Sequence, residues 1–328
     1  MTESTTLIKA MPKISPEEKR FLDKNGYLIL KQIINPNQIE SVSQKIAELQ
    51  KEEGLRVGDV RTSEWRKELR KQATFKSKFK LFVFDSTFKL LRKTLSYFRR
   101  NHAFNEMLYM YSIRPNIYAD GPKSYRNELK LMVINIVQQA EQKVERVCNL
   151  ANKGKEFDVF YSHPKVMSVV SYLLGKGNFK LSSLNYRNPK KGCLPQPLHI
   201  DFPWSVKQDE CFSSNTLWLL NDMTLENGPT RFVPGTHKRE DLPCEDIKDV
   251  IFDAHPDEII ITAKAGDVII LNGHVWHGGT TNTSGNSRKL IQSFFTHKAH
   301  HSQQFQRNLI TKETKERLNQ EALEVLDY

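Results

Sequence analysis

Two stretches decide the fold prediction for this 328-residue chain: QPLHIDFPW at residues 196–204 and GHVWHGGTTNTSGNSR at residues 273–288. Both suit extended strands, in which successive side chains point to opposite faces. His199 and Asp201 therefore point the same way, while Ile200 turns to the other face and can pack. His277 follows His199 after 78 residues (277 − 199), and Arg288 comes 11 residues later (288 − 277).

A second histidine from a distant strand could complete a set of two imidazoles and one carboxylate around a metal ion. Such a facial set leaves the opposite face of the metal open, which is the geometry associated with non-haem Fe(II) oxygenases. A lone histidine on a strand is more often a packed or surface residue than a ligand. It is the order of His199, Asp201 and His277 together that predicts a metal site.

Composition indicates a globular chain that is large enough to bury a substantial core. Hydrophobic residues make up 38% of it, with 18 Phe and 10 Tyr. The longest apolar run, LKLMVINIV at 129–137, is interrupted by Lys130 and Asn135 and is far shorter than a bilayer span. The first residues show no secretory signal. The cysteines lack paired spacing, which favours reduced thiols and a cytoplasmic protein; they are Cys148, Cys193, Cys211 and Cys244.

The net charge of +11 is concentrated in one part of the chain. Residues 51–130 contain 19 Lys and Arg against 9 Asp and Glu, which gives +10 (19 − 9). Such a segment can attract an acidic substrate, nucleic acid or an anionic membrane surface. The basic residues alternate with apolar ones at helical spacing, so a set of solvated helix faces is the simpler interpretation. No nucleic-acid-binding signature accompanies the charge, and no nucleic-acid partner is expected.

Helix signals dominate the first half of the chain. Ser15-Pro16-Glu17-Glu18 predicts a helix start, with an end near Gly26 and a short strand over 27–30. A second helix is expected from Pro36 to Gly54, and further helices over about 62–112 and 125–150. The apolar face from Val166 to Leu174 predicts a helix that Gly175 closes. A last helix is expected from Thr311 to Tyr328.

From residue 179 onward the period changes from helical to alternating. Eight short candidate strands separated by Gly, Pro and Asn turns predict a double-sheet jelly roll with a cavity between the sheets. The candidates are Phe179–Tyr186, Leu198–Asp201, Thr216–Leu220, Thr230–Val233, Glu258–Thr262, Asp267–Leu271, His274–His277 and Lys289–Phe295.

Several segments of the chain resemble the phytanoyl-CoA dioxygenase family of Fe(II)- and 2-oxoglutarate-dependent oxygenases. The segments that carry the resemblance are PLHID at 197–201, ENGPTRFVPGTH at 226–237, AGDVIILNGHVWHGG at 265–279, NTSGNSR at 282–288, KRFLDKNGYLILKQIINPNQI at 19–39 and KGKEFDVFYSHPKVMSVVSYLLG at 153–175. The resemblance is weakest from about 55 to 145.

The resemblance implies a double-stranded β-helix, the cupin-like jelly roll, with N-terminal and inserted helices packed around it. Residues 1–14 are then a flexible tail and 15–328 a single dioxygenase domain. Within that domain, a helical part over 15–175 contains the basic, divergent segment 51–150. The jelly-roll core covers 179–297, and a helical segment over 298–328 completes the chain.

The resemblance also implies roles for individual residues. His199, Asp201 and His277 hold the iron, and Arg288 binds the far carboxylate of 2-oxoglutarate through its planar guanidinium. Trp218 and Gln196 are further candidates for the cosubstrate pocket, although strand position would equally make Trp218 a core residue. Related halogenating enzymes carry a small residue in place of the aspartate, so Asp201 favours oxygen transfer.

Two local alternatives accompany that assignment. His274 lies three residues before His277, but the family pattern places the ligand directly before the Gly-Gly pair, which selects His277. His274 is expected at the sheet edge or in a hydrogen bond beside the metal. Some relatives carry a serine where this chain has Gly279, so a hydroxyl contact to the cosubstrate is either absent or supplied by Thr280 or another strand.

The implied activity is oxidation of a small molecule, most simply hydroxylation, coupled to conversion of 2-oxoglutarate and O₂ to succinate and CO₂. The basic segment leaves two substrate classes open: an anionic compound, such as an acyl-CoA or a phosphorylated metabolite, and a neutral or cationic specialised metabolite. The alternative from another class is a non-catalytic metal-binding jelly roll that acts as a sensor or interaction protein. A third interpretation makes the basic region a nucleic-acid or membrane-surface binder.

Overall fold

The computed structural model of the chain describes residues 13–53, 56–57, 144–193, 195–201, 210–247, 250, 252–300, 302–304 and 306–328. The predicted helices over 62–112, the tail residues 1–12 and most of the basic segment 51–150 lie outside these residues. The predicted single domain over 15–328 therefore stays a prediction.

The N-terminal helix and strand follow from local sequence signals. Helix α1 spans Pro16–Asn25, and the Ser15 hydroxyl accepts a hydrogen bond from the Glu18 backbone N–H while the Glu18 carboxylate accepts one from Ser15 N. Gly26 ends the helix at a φ of 79°, in the left-handed region that glycine adopts without strain. Strand β1, Tyr27–Leu30, follows directly. The predicted start at Ser15 and end near Gly26 are confirmed.

The remaining helices surround a sheet-rich core. They are α2 (Pro36–Glu53), α3 (Val159–Ser162), α4 (Pro164–Leu174), α5 (Pro243–Asp246), α6 (Gln306–Leu309), α7 (Lys312–Arg317) and α8 (Gln320–Val325), with short 3-10 turns at Leu150–Asn152, Lys155–Phe157 and Thr236–Lys238. Among the helices of the described residues, none combines the length and the hydropathy that a bilayer crossing requires.

Two antiparallel sheets form the core. Besides β1, the strands are β2 (Arg56–Val57), β3 (Val144–Val147), β4 (Phe179–Pro189), β5 (Ser213–Leu219), β6 (Thr230–Val233), β7 (Ile259–Ile261), β8 (Val268–Asn272), β9 (Trp276–Gly279) and β10 (Leu290–His297). In the described part of the chain, the large sheet has the order β1-β8-β5-β10-β4-β3-β2 and the small sheet the order β7-β6-β9. The small sheet closes over the large one as in a jelly roll.

Each face of the large sheet packs against a separate apolar cluster. The outer face meets the helices through side chains such as Trp218, Ile291 and Phe295, which are at most 2% exposed. The inner face meets the small sheet through Leu219, Leu271 and Phe232, among others. Alternate residues of one strand thus pack in different clusters. This alternation determines which side chains can face the space between the sheets.

The eight-strand prediction is confirmed in its main features and the fold class with it. Seven of the predicted segments are strands, with limits that differ by a few residues. The eighth, Leu198–Asp201, is a single bridge in which His199 and His277 exchange both backbone hydrogen bonds, each with an N···O distance of 2.9 Å. Leu198 N and Asp201 N donate instead to the carbonyls of Val250 and Gly273, so the ladder does not continue.

Two helix predictions are wrong in part. The end of the helix expected over 125–150 is strand β3, because residues 144–147 pair with β4 from Pro189 to Tyr186. The helix expected over 311–328 is divided into α7 and α8. The division lies at Asn319, whose side chain accepts a hydrogen bond from Ala322 N and starts a new helix.

Candidate metal centre

The structure brings His199, Asp201 and His277 together at the open end between the two sheets. One ligand atom from each residue lies within 4.8 Å of the others, and His277 Nε2 is 3.7 Å from Asp201 Oδ2. In the described residues, no other group of three His, Cys, Asp or Glu side chains meets this condition. The residues that the sequence selected from distant stretches are therefore the ones that converge.

Backbone carbonyls orient both imidazole rings in the same way. Nδ1 of His199 lies 2.6 Å from the Pro197 carbonyl oxygen, and Nδ1 of His277 lies 2.8 Å from that of Val275. Because a carbonyl oxygen can only accept, each Nδ1 carries the proton and each Nε2 keeps its lone pair for a metal. The Phe232 ring lies nearly parallel to the His277 ring, with centroids 6.0 Å apart, and supports it from the small sheet.

The two glycines after His277 let the metal-binding segments approach each other closely. A Cβ atom at Gly278 would lie 3.0 Å from the Pro197 carbonyl oxygen, and one at Gly279 would lie 3.0 Å from Gln196 Oε1. Either contact is tighter than side chains normally accept, so a larger residue would push the segment of His199 away from β9.

Asn215 anchors the carboxylate of Asp201. Its Nδ2 donates to Asp201 Oδ2 at 3.1 Å, and the Asp201 backbone N–H donates to Gly273 O at 2.6 Å. The sequence interpretation missed Asn215, because the predicted strand began at Thr216. The available signal was an amide side chain in a strand whose residues are all buried.

Burial determines the charge state of the histidines near the site. It lowers the pKa of His199, and the neighbouring His277 lowers it further. Burial also lowers the pKa of His274 to about 4. These imidazoles are therefore neutral at pH 7, which is the form that binds a metal or accepts a hydrogen bond.

His274 lies beside the predicted ligand set and outside it. The residue is 1% exposed, and Nδ1 lies 3.2 Å from the Glu210 carbonyl oxygen. The sequence expectation placed His274 either at the sheet edge or in a hydrogen bond beside the metal. In the structure, His274 is hydrogen-bonded to the backbone carbonyl of Glu210 beside the site.

Arg288 is buried at the opposite end of the inner face. The residue is 6% exposed, and its backbone N–H donates to Asn188 Oδ1 at 3.2 Å. It lies two residues before Leu290, whose side chain belongs to the cluster between the sheets. The alternation of an extended segment predicts that its guanidinium points to the same face as the metal-competent residues.

The other two cosubstrate candidates differ in their placement. Gln196 lies against β9, where its Oε1 accepts from Gly279 N at 3.0 Å. Trp218 lies on the outer face of β5, where Nε1 donates to Thr216 Oγ1 and the ring packs against Phe160. The expectation that Trp218 contacts the cosubstrate is therefore corrected. Trp218 is a core residue, because it lies on the face of β5 opposite the site.

Thr280 does not replace the missing serine hydroxyl. Its Oγ1 donates to the Pro229 carbonyl oxygen at 2.8 Å and so ties β9 to the turn before β6. The donor set that remains is two imidazoles and one carboxylate. Such ligands suit Fe(II), and nothing in the described surroundings adds a thiolate to them.

The fold and this donor set are typical of non-haem metal enzymes. Comparison of the sequence with known protein families identifies the family. The model of the phytanoyl-CoA dioxygenase (PhyH) family matches residues 22–290. The chain belongs to the phytanoyl-CoA dioxygenase family. The family that the sequence resembles is thereby confirmed.

Curated relatives carry dioxygenase names at low identity. The chain is 26% identical to phytanoyl-CoA dioxygenase 1 of Oryza sativa subsp. japonica over 291 residues, which cover 85% of this chain and 87% of that protein. It is 27% identical to dioxygenase af480 of Aspergillus fumigatus over 145 residues, or 41% of this chain and 42% of the relative. The chain thus spans about half the length of the first fungal relatives it matches, with 59% of dioxygenase olcK of Penicillium canescens aligned.

Solved structures share the fold at lower identity still. The 2-oxoglutarate-dependent carbocyclase SnoK has a TM-score of 0.50 at 16% identity, with 86% of this chain and 84% of that chain covered. HygX of Streptomyces hygroscopicus, crystallised with nickel and 2-oxoglutarate, has a TM-score of 0.52 at 12% identity, with 88% and 89% covered. These relatives agree with the expected iron and 2-oxoglutarate cofactors.

Proposed function

We propose that this protein is an Fe(II)- and 2-oxoglutarate-dependent dioxygenase that hydroxylates a small-molecule metabolite, with release of succinate and CO₂. The observation that carries the proposal is the convergence of two imidazole nitrogens and one carboxylate oxygen within 4.8 Å. Bound iron, with 2-oxoglutarate and O₂, supplies the oxidising chemistry. The chain's own residues bind, orient and shield the reactants.

In this proposal, His199, Asp201 and His277 hold the iron on one side and leave the other side open. The backbone carbonyls behind both rings keep the Nε2 lone pairs directed at the ion. Asn215 limits rotation of the Asp201 carboxylate through its hydrogen bond to Oδ2. Fixed ligands of this kind reduce the reorganisation that metal binding would otherwise require.

We assign Arg288 to the far carboxylate of 2-oxoglutarate and Gln196 to a supporting contact. A buried guanidinium stays charged and can bind a carboxylate through two parallel hydrogen bonds. Gln196 is held beside His277 by its bonds to Gly279, which places its side chain next to the metal-binding segment. Trp218 takes no part in the proposal.

A specialised metabolite is the substrate class that the solved relatives favour. The structures that share the fold include SnoK and SnoN from nogalamycin biosynthesis and HygX with hygromycin B bound. A cytoplasmic location agrees with the cysteines of the described residues that form no disulfide, which are Cys148, Cys193 and Cys211. Residues 15–328 are proposed to form a single dioxygenase domain.

The test is anaerobic titration of the protein with Fe(II) and 2-oxoglutarate, followed by visible absorption. The proposal predicts a charge-transfer band in the wild-type protein and its loss in His277→Ala and Asp201→Ala. Arg288→Met should keep iron binding but require a much higher 2-oxoglutarate concentration for the band.

Succinate formation in air gives the catalytic readout. We expect it to be abolished in His277→Ala and Asp201→Ala. Retained turnover in either variant would refute the ligand assignment, and metal binding without any 2-oxoglutarate band would favour the sensor alternative.

A further inference from the structure

The segment that carries Arg288 lies beyond the last paired residues of strands β4 and β10. The pairing of these strands ends where Leu290 lies opposite Arg187. If the same register continued for two more residues, Arg288 would lie opposite Pro189. Proline offers no N–H to a ladder, and the Pro189 carbonyl already accepts a hydrogen bond from Asn282 Nδ2 at 2.9 Å. The backbone at Arg288 therefore needs hydrogen-bond partners other than the facing strand.

Two asparagine side chains hold the residues on either side of Arg288. Lys289 N donates to Asn221 Oδ1 at 2.5 Å. The Ser287 carbonyl accepts from Asn221 Nδ2 at 2.6 Å and from Asn227 Nδ2 at 3.2 Å. Asn221 follows β5, and Asn227 lies in the turn before β6, so two separate positions of the connection between these strands meet at this segment.

A third asparagine, Asn188 on β4, binds the backbone of Arg288 directly. Arg288 N donates to Asn188 Oδ1 at 3.2 Å, and Asn188 is 1% exposed. Asn188 Nδ2 donates to Glu145 Oε2 at 2.8 Å, and Glu145 Oε1 lies 2.8 Å from Lys190 Nζ. Because an ionised carboxylate can only accept, Glu145 orients the amide so that its oxygen faces Arg288 N. We name three residues the asparagine clamp: Asn188, Asn221 and Asn227.

The asparagine clamp determines where the side chain of Arg288 begins. A guanidinium that binds a carboxylate through two parallel hydrogen bonds must have a defined position and orientation. Partners that are themselves held by hydrogen bonds and packing supply that position, as the Glu145 carboxylate does for the amide of Asn188. A segment outside a ladder and without such partners opens more readily.

We propose that the asparagine clamp positions Arg288 for the far carboxylate of 2-oxoglutarate. The inference rests on the proposed function, because it takes Arg288 as the cosubstrate anchor. The clamp side chains are positioning residues that act through the backbone of residues 287–289. Because the proposed metal ligands lie on other segments, loss of a clamp residue should weaken cosubstrate binding and leave metal binding intact.

Calorimetric titration of 2-oxoglutarate into the full-length protein loaded with Ni(II) measures cosubstrate affinity without turnover. Asn188→Ala and Asn221→Ala should each raise the dissociation constant of 2-oxoglutarate about tenfold, which corresponds to weakening one hydrogen bond to a charged group. The Ni(II) affinity of both variants, measured on the metal-free proteins, should match that of the wild type.

Asn152→Ala is the matched control. Asn152 Oδ1 also accepts a backbone N–H from a distant residue, Thr311, at 3.1 Å, and this bond joins a 3-10 turn to the C-terminal helices. The substitution removes a hydrogen bond of the same kind without changing a partner of residues 287–289. The affinity for 2-oxoglutarate should therefore be that of the wild type.

A double-mutant cycle separates positioning from a general structural effect. If Asn188 acts through Arg288, Asn188→Ala should add nothing to the loss of 2-oxoglutarate affinity in Arg288→Met. A fully additive loss would overturn the proposal. Unchanged 2-oxoglutarate affinity in both clamp variants, or an equal loss of Ni(II) affinity, would overturn it as well.

The proposed function and the clamp can fail separately. If Arg288→Met alone leaves 2-oxoglutarate affinity unchanged, the cosubstrate anchor of the proposed function is wrong. Hydrogen exchange of the Arg288 amide in the metal-free protein tests the clamp by itself, and it should be faster in Asn188→Ala but not in Asn152→Ala. Equal exchange in the wild type and Asn188→Ala would show that Asn188 does not hold this backbone.

Discussion

Asn215 holds the Asp201 carboxylate through one end of its amide group. Its Nδ2 holds Asp201, and its Oδ1 is left as a buried acceptor. The partners of metal-binding side chains commonly contribute one to two orders of magnitude to metal affinity. We expect Asn215→Ala to weaken Fe(II) or Ni(II) binding about ten- to a hundredfold, measured by competition with a chelator.

Ser214→Ala is the control for that measurement, since its hydroxyl bonds the backbone on the other face of β5. Unchanged metal affinity in Asn215→Ala, with native circular dichroism, would show that Asp201 needs no anchor.

Thr296 allows a stability test at the same scale. A buried hydroxyl without a partner costs its full desolvation, so Thr296→Val should raise the free energy of unfolding by about 1 kcal/mol in the ligand-free protein. Thr216→Val should lower it by about 1 kcal/mol, because Thr216 Oγ1 accepts from Trp218 Nε1 and donates to Ser293 O. Urea denaturation measures both. A loss of stability in Thr296→Val would mean that its hydroxyl is paired in solution.

The sequence was informative where ligand chemistry restricts residue type. His199, Asp201 and His277 could be predicted because a strand alternates faces and because few residue types bind iron. The face of Trp218 could not be predicted, since β5 is buried on both sides and its residues show no polar alternation. Asn215 was missed for the same reason, as a polar residue in such a strand looks like a strand boundary.

At the scale of elements, Arg231 connects β6 to the segment that carries the first ligands. Its guanidinium donates to the carbonyls of Val250 and Gln196 and forms an ion pair with Glu258, and the residue is 4% exposed. Removing one partner of a buried network leaves the others unsatisfied. Arg231→Met should therefore lower the free energy of unfolding by about 3 kcal/mol.

Chemical denaturation at neutral pH measures that loss. Lys312→Met, which removes an exposed lysine from its pair with Glu316, is the control and should leave stability unchanged. Equal stability of Arg231→Met and wild type would contradict the role of this arginine as a connector.

Elements with strong local signals were predicted and elements that depend on distant partners were not. The capping box at Ser15 and Glu18 and the glycine at position 26 define α1 without tertiary help. Strand β3 was expected to be helical. Its strand conformation depends on pairing with β4 rather than on its own residues, so the sequence did not indicate it. The single helix predicted at the C-terminus is interrupted at Asn319, a residue type that caps helices.

At the scale of the whole molecule, buried neutral imidazoles make stability depend on pH. The pKa of His274 is lowered to about 4, whereas it is about 6.5 in the unfolded chain. Between these values, the unfolded state binds a proton that the folded state does not, so the free energy of unfolding falls as the pH falls from about 6.5 to about 4.

In metal-free His274→Gln, the free energy of unfolding should fall less steeply as the pH is lowered. The number of protons taken up on unfolding should be smaller by up to about one in this window. Urea denaturation at pH 7 and pH 5 gives the comparison. Parallel curves for wild type and variant would indicate that His274 titrates normally in the folded protein.

Metal binding should stabilise the whole fold through ligands from two distant stretches. An ion that binds the native state alone raises stability by about 2.7 kcal/mol at a hundredfold excess over Kd. Ni(II) should thus raise the melting temperature of the wild type in a concentration-dependent way. Asp201→Ala should not respond. An equal rise in both proteins would place the ion elsewhere.

Strand β1 has a consequence for how the chain is made. Tyr27 pairs with Leu271, which is 244 residues further on (271 − 27). Synthesis proceeds from the N-terminus, so β1 leaves the ribosome long before its partner exists, and closing so long a loop is slow. Until residue 272 has emerged, Tyr27–Leu30 is an unpaired strand that chaperones can bind. The edge of the large sheet is therefore completed late, and this step sets the earliest point at which the newborn protein can become resistant to proteases.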